Sequence, residues 1–287
     1  MDAARKLSIL IALLSALLAT WLGAGCGGSS ENASFTGSAP KAEHAQLVRY
    51  RSYLKEQGGL MVEWTAKLER QIAAGRVPWA QPFYGIARVH YSEVEALARA
   101  VAPALVRQID AEPGEAPGSP LTGFHRLERG LFQEESTHGL EPYAKRLTAA
   151  TRNLDRRLKG AHLTPSQLLD DAAQLMQLVA TAKLAGRGEP YSQLDLVDVS
   201  ADVEGAEAGA KAAQACMGPE QWKTVKQQFE TVYAEVDELG FAAREAAPHD
   251  PEAGAGMHAF SELSSGERRA LSGNIELLAR TLAASSC

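Results

Sequence analysis

What most constrains the fold of this chain is an apolar repeat of helical period along almost its whole length. Leu47, Tyr50 and Leu54 stand 3 and 4 apart, and Met61, Trp64 and Leu68 continue the stripe at the same spacing. A helix turns once every 3.6 residues, so such spacing lines one face and asks for a partner surface. Gly58-Gly59 interrupts the first stretch, which reads as one helix with a weak turn or two in line. Pro78 and Pro82 bracket a connection, and a third pattern runs over 83–109. Five Pro and Gly residues make 110–120 a loop, because no helix interior tolerates them.

Another helix is expected over 141–158. Thr164-Pro165-Ser166-Gln167 supplies an N-cap, a proline at the first helical position and a capping-box glutamine, with Leu168, Ala172, Leu175 and Val179 as the buried face behind it. Trp222, Val225, Phe229, Val232, Val236 and Leu239 alternate at 3 and 4 in the most regular helix of the chain. After a loop at 246–256, Ser264-Ser265-Gly266-Glu267 opens a terminal helix through Leu271, Ile275, Leu278 and Leu282. No segment alternates as a strand would, so the class is all-α, a packed antiparallel helical bundle.

The chain has 287 residues, 45% of them hydrophobic, enough to bury a sizeable core as one large domain or two small halves. Its 29 basic and 35 acidic residues leave a formal charge of −6, with no basic cluster interleaved with aromatics. That argues against a nucleic-acid footprint and is compatible with capture of cations.

The first residues read as a targeting segment: Arg5 and Lys6, an apolar run over 7–22, then Gly23-Ala24-Gly25-Cys26. The run is short for a membrane span and ends in small residues, as a signal peptide does. Cys26 resembles the acylated cysteine of a bacterial lipobox, although Gly23 stands where an aliphatic residue is usual. The expected organisation is a lipoprotein signal peptide over 1–25, a flexible Gly/Ser tether over 26–41 and a helical domain over 42–287. With Cys26 lipidated, Cys216 and Cys287 remain as an even pair in an oxidising compartment. They read either as a disulfide that ties down the C-terminus or as two unrelated thiols.

The candidate chemistry lies in Gly123-Phe124-His125-Arg126-Leu127-Glu128. On a helix that starts near Thr122, a candidate cap, Phe124, Leu127 and Leu131 face a core. His125 and Glu128, three apart, sit at the edge of that stripe, close enough to share one ion. Taken alone, such a His is more often a hydrogen-bonded core residue than a ligand, and Glu128 reads equally as dipole compensation. Further on, Asp195, Asp198 and Asp202 line one face of a helix beginning near Ser192, where Asp198 and Asp202 read first as ordinary dipole partners. Glu189, on a turn before Pro190, is harder to dismiss in that way.

These residues together resemble a known family, the imelysin-like proteins, and among them the EfeO/EfeM-type bacterial iron-uptake proteins. The match rests on Thr122-Gly123-Phe124-His125-Arg126-Leu127-Glu128 followed by Leu131-Phe132, and on Glu189-Pro190-Tyr191-Ser192 with Asp195-Leu196, Asp198, Ala201 and Gly205. Tyr50-Arg51 with Tyr53, and Tyr91 with Val94-Glu95, also fit. The resemblance implies an exported, all-helical protein of two four-helix-bundle-like halves, without the cupredoxin domain that full-length relatives carry. It implies metal ligands at His125, Glu128, Glu95 and Glu189, with Asp110 as a fifth candidate after a one-residue shift. Departures fall at Ser92, where a second carboxylate is frequent, and at Ala96, where proline is usual.

One imidazole and several carboxylates form a mostly hard ligand set, suited to iron first and to zinc or manganese as well. The expected function is therefore a lipid-anchored metal-binding protein of the cell envelope, periplasmic or on the outer surface. It would serve iron uptake beside a permease and a peroxidase-like partner. A zinc metallopeptidase of the imelysin type is the enzymatic alternative, but His-Glu-x-x-His is absent and no nucleophile motif appears. A surface protein that binds without metal is the third reading. The metal reading fails if the carboxylates turn apart or are locked to arginines with no vacancy between them.

Overall fold

A computed structural model describes residues 39–111, 121–239, 260–285 and 287. The expected signal peptide, Cys26, most of the tether, and the loops expected within 110–120 and at 246–256 lie wholly or largely outside these residues. The described residues contain helices and no strand. The first helix, α1, runs over Ala39–Ala73 and passes through Gly58-Gly59 unbroken. Then come α2 (Val77–Val101) and α3 (Pro103–Asp110). The six-residue α4 (Gly123–Glu128) widens into a π-helical turn over Arg129–Gln133. The remaining helices are α5 (Glu141–Lys159), α6 (Pro165–Thr181), α7 (Asp195–Ala213), α8 (Pro219–Glu238) and α9 (Ser265–Ala283).

Two apolar cores organise these elements. One gathers Leu54, Met61, Leu68, Tyr84, Tyr91, Phe124, Leu127 and Leu154 from α1, α2, α4 and α5. The other gathers Met176, Val179, Val199, Val203, Phe229, Val232, Ile275 and Leu278 from α6 to α9. The chain is thus two bundle-like halves, joined where α1 and α2 pack on α7. That joint is close: a Cβ on Gly205 of α7 would lie 2.4 Å from the carbonyl oxygen of Glu93 on α2. None of the described helices is long and apolar enough to cross a membrane.

The local signals for helix ends act mostly as expected. The Thr164 hydroxyl accepts from the Gln167 amide at 3.3 Å. Ser264 and Glu267 form a reciprocal capping box, at 2.7 and 3.2 Å. Three differences stand out. Pro82 lies inside α2 rather than ending a connection, so the helix begins at Val77 and carries Pro78 in its first turn. The pattern over 83–109 is split at Ala102, because Pro103 lacks the N–H that a continuous helix needs and starts α3 instead. The Thr122 side chain caps nothing, its hydroxyl reaching the Gln108 carbonyl oxygen at 3.5 Å.

Cys216 and Cys287 lie with Cα atoms 4.9 Å apart and their sulfurs in bonding contact. That spacing is within the ordinary range for a disulfide.

Candidate metal centre

The centre lies where the two halves meet, and both contribute to it. From the first half come Arg88 and Glu95 on α2, Asp110 at the end of α3, and His125 and Glu128 on α4. From the second come Lys183, the Glu189–Ser192 segment and the start of α7. Gly123 sets the first contribution in place. It has φ +52°, and a Cβ there would lie 2.0 Å from the Ile109 carbonyl oxygen, so the chain can enter α4 pressed against α3 only through glycine. On the other side Gln193, at φ 62°, accepts the Phe260 amide on its backbone carbonyl at 3.2 Å and the Ser261 amide on its side chain at 3.0 Å. Those bonds pin the segment that carries Glu189.

His125, Glu128 and Glu189 are all buried, and each offers a ligand atom within 4.8 Å of the others. Among the described residues this is the one group of three or more metal-ligating side chains that comes so close together. The outer oxygen of each carboxylate is already held. Glu128 Oε1 accepts from the amides of Tyr191 and Ser192, both at 2.8 Å, and contacts Ser192 Oγ at 3.1 Å. Glu189 Oε2 accepts from the Tyr84 hydroxyl at 2.8 Å and contacts Ser192 Oγ at the same distance. That leaves Glu128 Oε2, 3.5 Å from His125 Nδ1, and Glu189 Oε1, 2.9 Å from Arg88 Nε, as the oxygens an ion would take, the second only in exchange for its ion pair with Arg88. Partners that fix one oxygen orient a carboxylate ligand.

The other two expected ligands are placed differently. Asp110 lies on the opposite edge of the imidazole, 3.3 Å from His125 Nε2, and pairs with Arg88 Nη1. Glu95 lies outside the trio, held by Lys183 Nζ at 2.8 Å and Arg99 Nη1 at 2.9 Å. Two cations that the motif reading overlooked therefore stand at the centre. Arg88 pairs with Asp110 and Asp198 and has its Nε 2.9 Å from Glu189 Oε1. Its guanidinium also lies 5.0 and 5.7 Å from the ring centroids of Phe124 and Tyr91. Lys183 bridges Glu95 and Asp202, both at 2.8 Å.

Asp198 and Asp202 are thus not dipole partners on a solvated helix start; both are fully buried and bound to these cations. A signal for the overlooked residues was present. Tyr84, Arg88, Tyr91 and Glu95 recur at 4, 3 and 4, which places an arginine and a glutamate inside the buried face of α2.

The electrostatics remain unbalanced. Glu95, Asp110, Glu128, Glu189, Asp195, Asp198 and Asp202 are buried, against Arg88 and Lys183 as buried permanent cations. A buried carboxylate without a cation takes up a proton. Burial, reinforced by Glu128 and Asp198, pushes Glu189 well above the usual carboxylate range despite Arg88. Burial does the same to Asp202, and lifts Asp195 to about 6. For Asp110 burial is outweighed by Arg88 and His125, which hold it well below its ordinary value. Burial would push the His125 imidazole down, but its hydrogen bonds to Asp110 and Glu128 and the nearby negative charge raise it to about 10. The centre therefore stores protons where further positive charge is needed, and a metal ion would supply that charge. One nitrogen and two carboxylate oxygens form a hard set compatible with iron, zinc or manganese.

Comparison with known proteins gives the family. The imelysin (peptidase M75) family model matches residues 46–270. The iron uptake system component EfeO of Escherichia coli strain K12 is 29% identical over 241 residues, covering 83% of this chain and 62% of that protein. EfeO of Yersinia pseudotuberculosis serotype I is 27% identical over 243 residues, with the same coverage. The chain thus spans 62% of the length of these curated relatives. With the family model matched over most of its length and the relatives aligned through both halves of the buried centre, the chain belongs to the imelysin family and is similar to the EfeO proteins within it.

Proposed function

We propose that this protein binds iron in the cell envelope, through His125, Glu128 and Glu189, and serves its uptake. The observation that carries the reading is the convergence of those three side chains, from both halves of the chain, in a place short of positive charge. The similarity to EfeO proteins, which are named as iron uptake components, supports iron as the cargo. Glu189 exchanges its contact with Arg88 for the ion, and Arg88 stays with Asp110 and Asp198. Asp110 orients His125 from the far edge of the ring rather than ligating, and Glu95 holds Lys183 and Arg99 in place. Cys26 carries a lipid that ties the helical domain to a membrane through the 26–41 tether, and a permease receives the iron.

The test is calorimetric titration of the chelator-stripped protein with iron, zinc and manganese, beside the His125→Ala/Glu128→Ala variant. Binding that survives the double substitution refutes the ligand assignment. The peptidase alternative needs an open metal position and a general base. It is checked in the same preparation, since hydrolysis of casein that depends on metal would replace the uptake reading.

A further inference from the structure

The surface of this acidic chain carries one strongly basic strip. The whole sequence sums to −6, but part of the seam where α1 and α5 pack antiparallel has the opposite sign. Three contacts fix the register of that seam. Arg51 Nη1 donates to the Ala161 carbonyl oxygen at 3.2 Å, a Cβ on Gly58 would lie 2.7 Å from Asp155 Oδ1, and the Thr65 and Thr151 hydroxyls are 3.0 Å apart. Arg51 and Lys55 share a row of α1 with Gly58, at spacings of 4 and 3, and Arg152 and Lys159 share a row of α5 with Asp155, at 3 and 4. Arg156, four after Arg152, stands beside them, and all five cations are exposed. The one carboxylate in this part of the seam, Asp155, is taken by Lys159 at 2.6 Å. Glu56 is turned about 140° from Arg51 around α1. Past Thr65 the sign is lost, since Lys145 is met by Glu141 at 2.6 Å and by Glu69.

Arg156 and Lys159 have an ordinary use in the last turn of α5, where cations offset the helix dipole. Arg51 and Lys55 have no such use, lying 12 and 16 residues into α1, and Arg152 stands two turns before the end of α5. Arg51, Lys55, Arg152 and Arg156 make no ion pair with a described residue. Like charges held side by side repel, and a negative surface laid over them relieves the repulsion. The entry of the chain lies close by. Ala39 opens α1, and Arg51 is about 18 Å further along it. Ala39 follows Cys26 by 13 residues, which span at most about 45 Å. A lipid on Cys26 therefore lets the strip reach the membrane with slack, whereas the far end of α1 lies about 50 Å from the entry.

We propose that the strip of Arg51, Lys55, Arg152, Arg156 and Lys159 is a docking face for an anionic lipid surface, on which the anchored body lies. The face rests on the lipid read at Cys26 and adds which side of the body turns to the membrane. Each Lys or Arg near anionic headgroups adds to the attraction, and an acyl anchor joined to a basic patch holds where either alone is marginal. Because the rest of the chain is acidic, the same headgroups repel its other sides, so the attraction orients the body as well as holding it.

The experiment uses the chain from Cys26 onward, the form that export would leave, kept unacylated, with vesicles of phosphatidylcholine alone or with about a third phosphatidylglycerol. Co-sedimentation should find the protein on the anionic vesicles only, and released from them when salt is raised from about 0.05 M to about 0.5 M. Arg51→Gln/Lys55→Gln and Arg152→Gln/Arg156→Gln should each lower partitioning about twentyfold, at about fivefold per charge. Arg152→Lys/Arg156→Lys should keep it, because a headgroup layer reads charge rather than the arginine fork. Arg76→Gln/Lys223→Gln, an equal loss of exposed charge away from the strip, should change it by less than about twofold. Circular dichroism confirms that each variant is folded. Absence of binding to anionic vesicles, or binding that the strip variants do not weaken, overturns the docking face whatever Cys26 carries. A dimer in size-exclusion chromatography that the strip variants dissolve, with no vesicle bound, assigns the strip to a second copy of the chain and overturns it too. Mass spectrometry of the chain expressed with its leader reads the anchor separately: an unmodified Cys26 beside intact vesicle binding overturns the lipid and leaves the face.

Discussion

Arg88→Met tests the electrostatic account of the centre most directly. Methionine replaces the aliphatic stem of the side chain and keeps the site apolar beside Phe124 and Tyr91, but removes the charge from among Asp110, Glu189 and Asp198, all buried. Truncating one member of a buried ion pair costs about 3–5 kcal/mol, because the remaining charge is left without compensation. In a domain of this size each kcal/mol moves the melting temperature by about 2–4 °C, so a loss of roughly 10 °C is expected. The loss should also depend on pH, in a direction that can be worked out. Asp110 is held below its ordinary value by Arg88 and therefore adds stability above its unfolded pKa. Without Arg88 that contribution disappears, and all three carboxylates move upward. Groups raised in the folded state lower stability as pH climbs from the unfolded value through the folded one. The Asp110 part of the deficit should thus already be present at about pH 5, and the carboxylates that move upward should enlarge it further by about pH 8, measured by urea unfolding at both. Adding Asp198→Asn to the variant should recover part of it. A deficit below about 1 kcal/mol at the higher pH, or one that is the same at both, would show that Arg88 is not the charge on which the centre depends.

Four further outcomes are expected. His125, raised to about 10, and Glu189, also raised, hold protons that a metal must displace. Metal affinity should therefore climb between about pH 6 and 8, and a flat profile would argue against these ligands. The Asp171 carboxyl is pushed up to about 7, chiefly by burial. Wild-type stability therefore falls as pH rises from the unfolded value through that point, and Asp171→Asn should gain about 1 kcal/mol above it after discounting for solvent screening, read as a melting-temperature gap absent at pH 4. Gly205→Ala forces a methyl to within 2.4 Å of the Glu93 carbonyl oxygen and should cost about 1–3 kcal/mol as α7 is pushed from α2; an unchanged melting curve would refute that contact. Opening the Cys216 to Cys287 link, 71 residues apart in sequence, by Cys216→Ser should lower stability by up to about 4 kcal/mol, provided that thiol titration of the denatured wild type finds neither cysteine free.

Helix type was legible because it is encoded locally. Spacings of 3 and 4 and the capping residues at Thr164 and Ser264 act within a few positions of one another. The break at Ala102 was missed because the apolar stripe continues across it, while a single missing N–H at Pro103 decides the matter. The convergence of Glu189 with His125 and Glu128 was reached through family resemblance, since nothing local relates residues 61 and 64 positions apart. Arg88 and Lys183 were overlooked because a motif marks what binds a ligand and not what balances the charge around it. Asp198 and Asp202 were read by their place in a helix start, and what overrides that reading is tertiary, the burial of α7 against α2.

The bonds from the Tyr191 and Ser192 amides to Glu128 have a consequence for how the molecule is put together. They run from a segment of the second bundle to a side chain of the first, so neither half owns a finished centre. If the chain were cut between α5 and α6 and its pieces expressed apart, each would keep its own apolar core yet lack part of the chelating cluster. Metal capture would then report reassociation of the fragments, and the seam between them could be titrated with an ion.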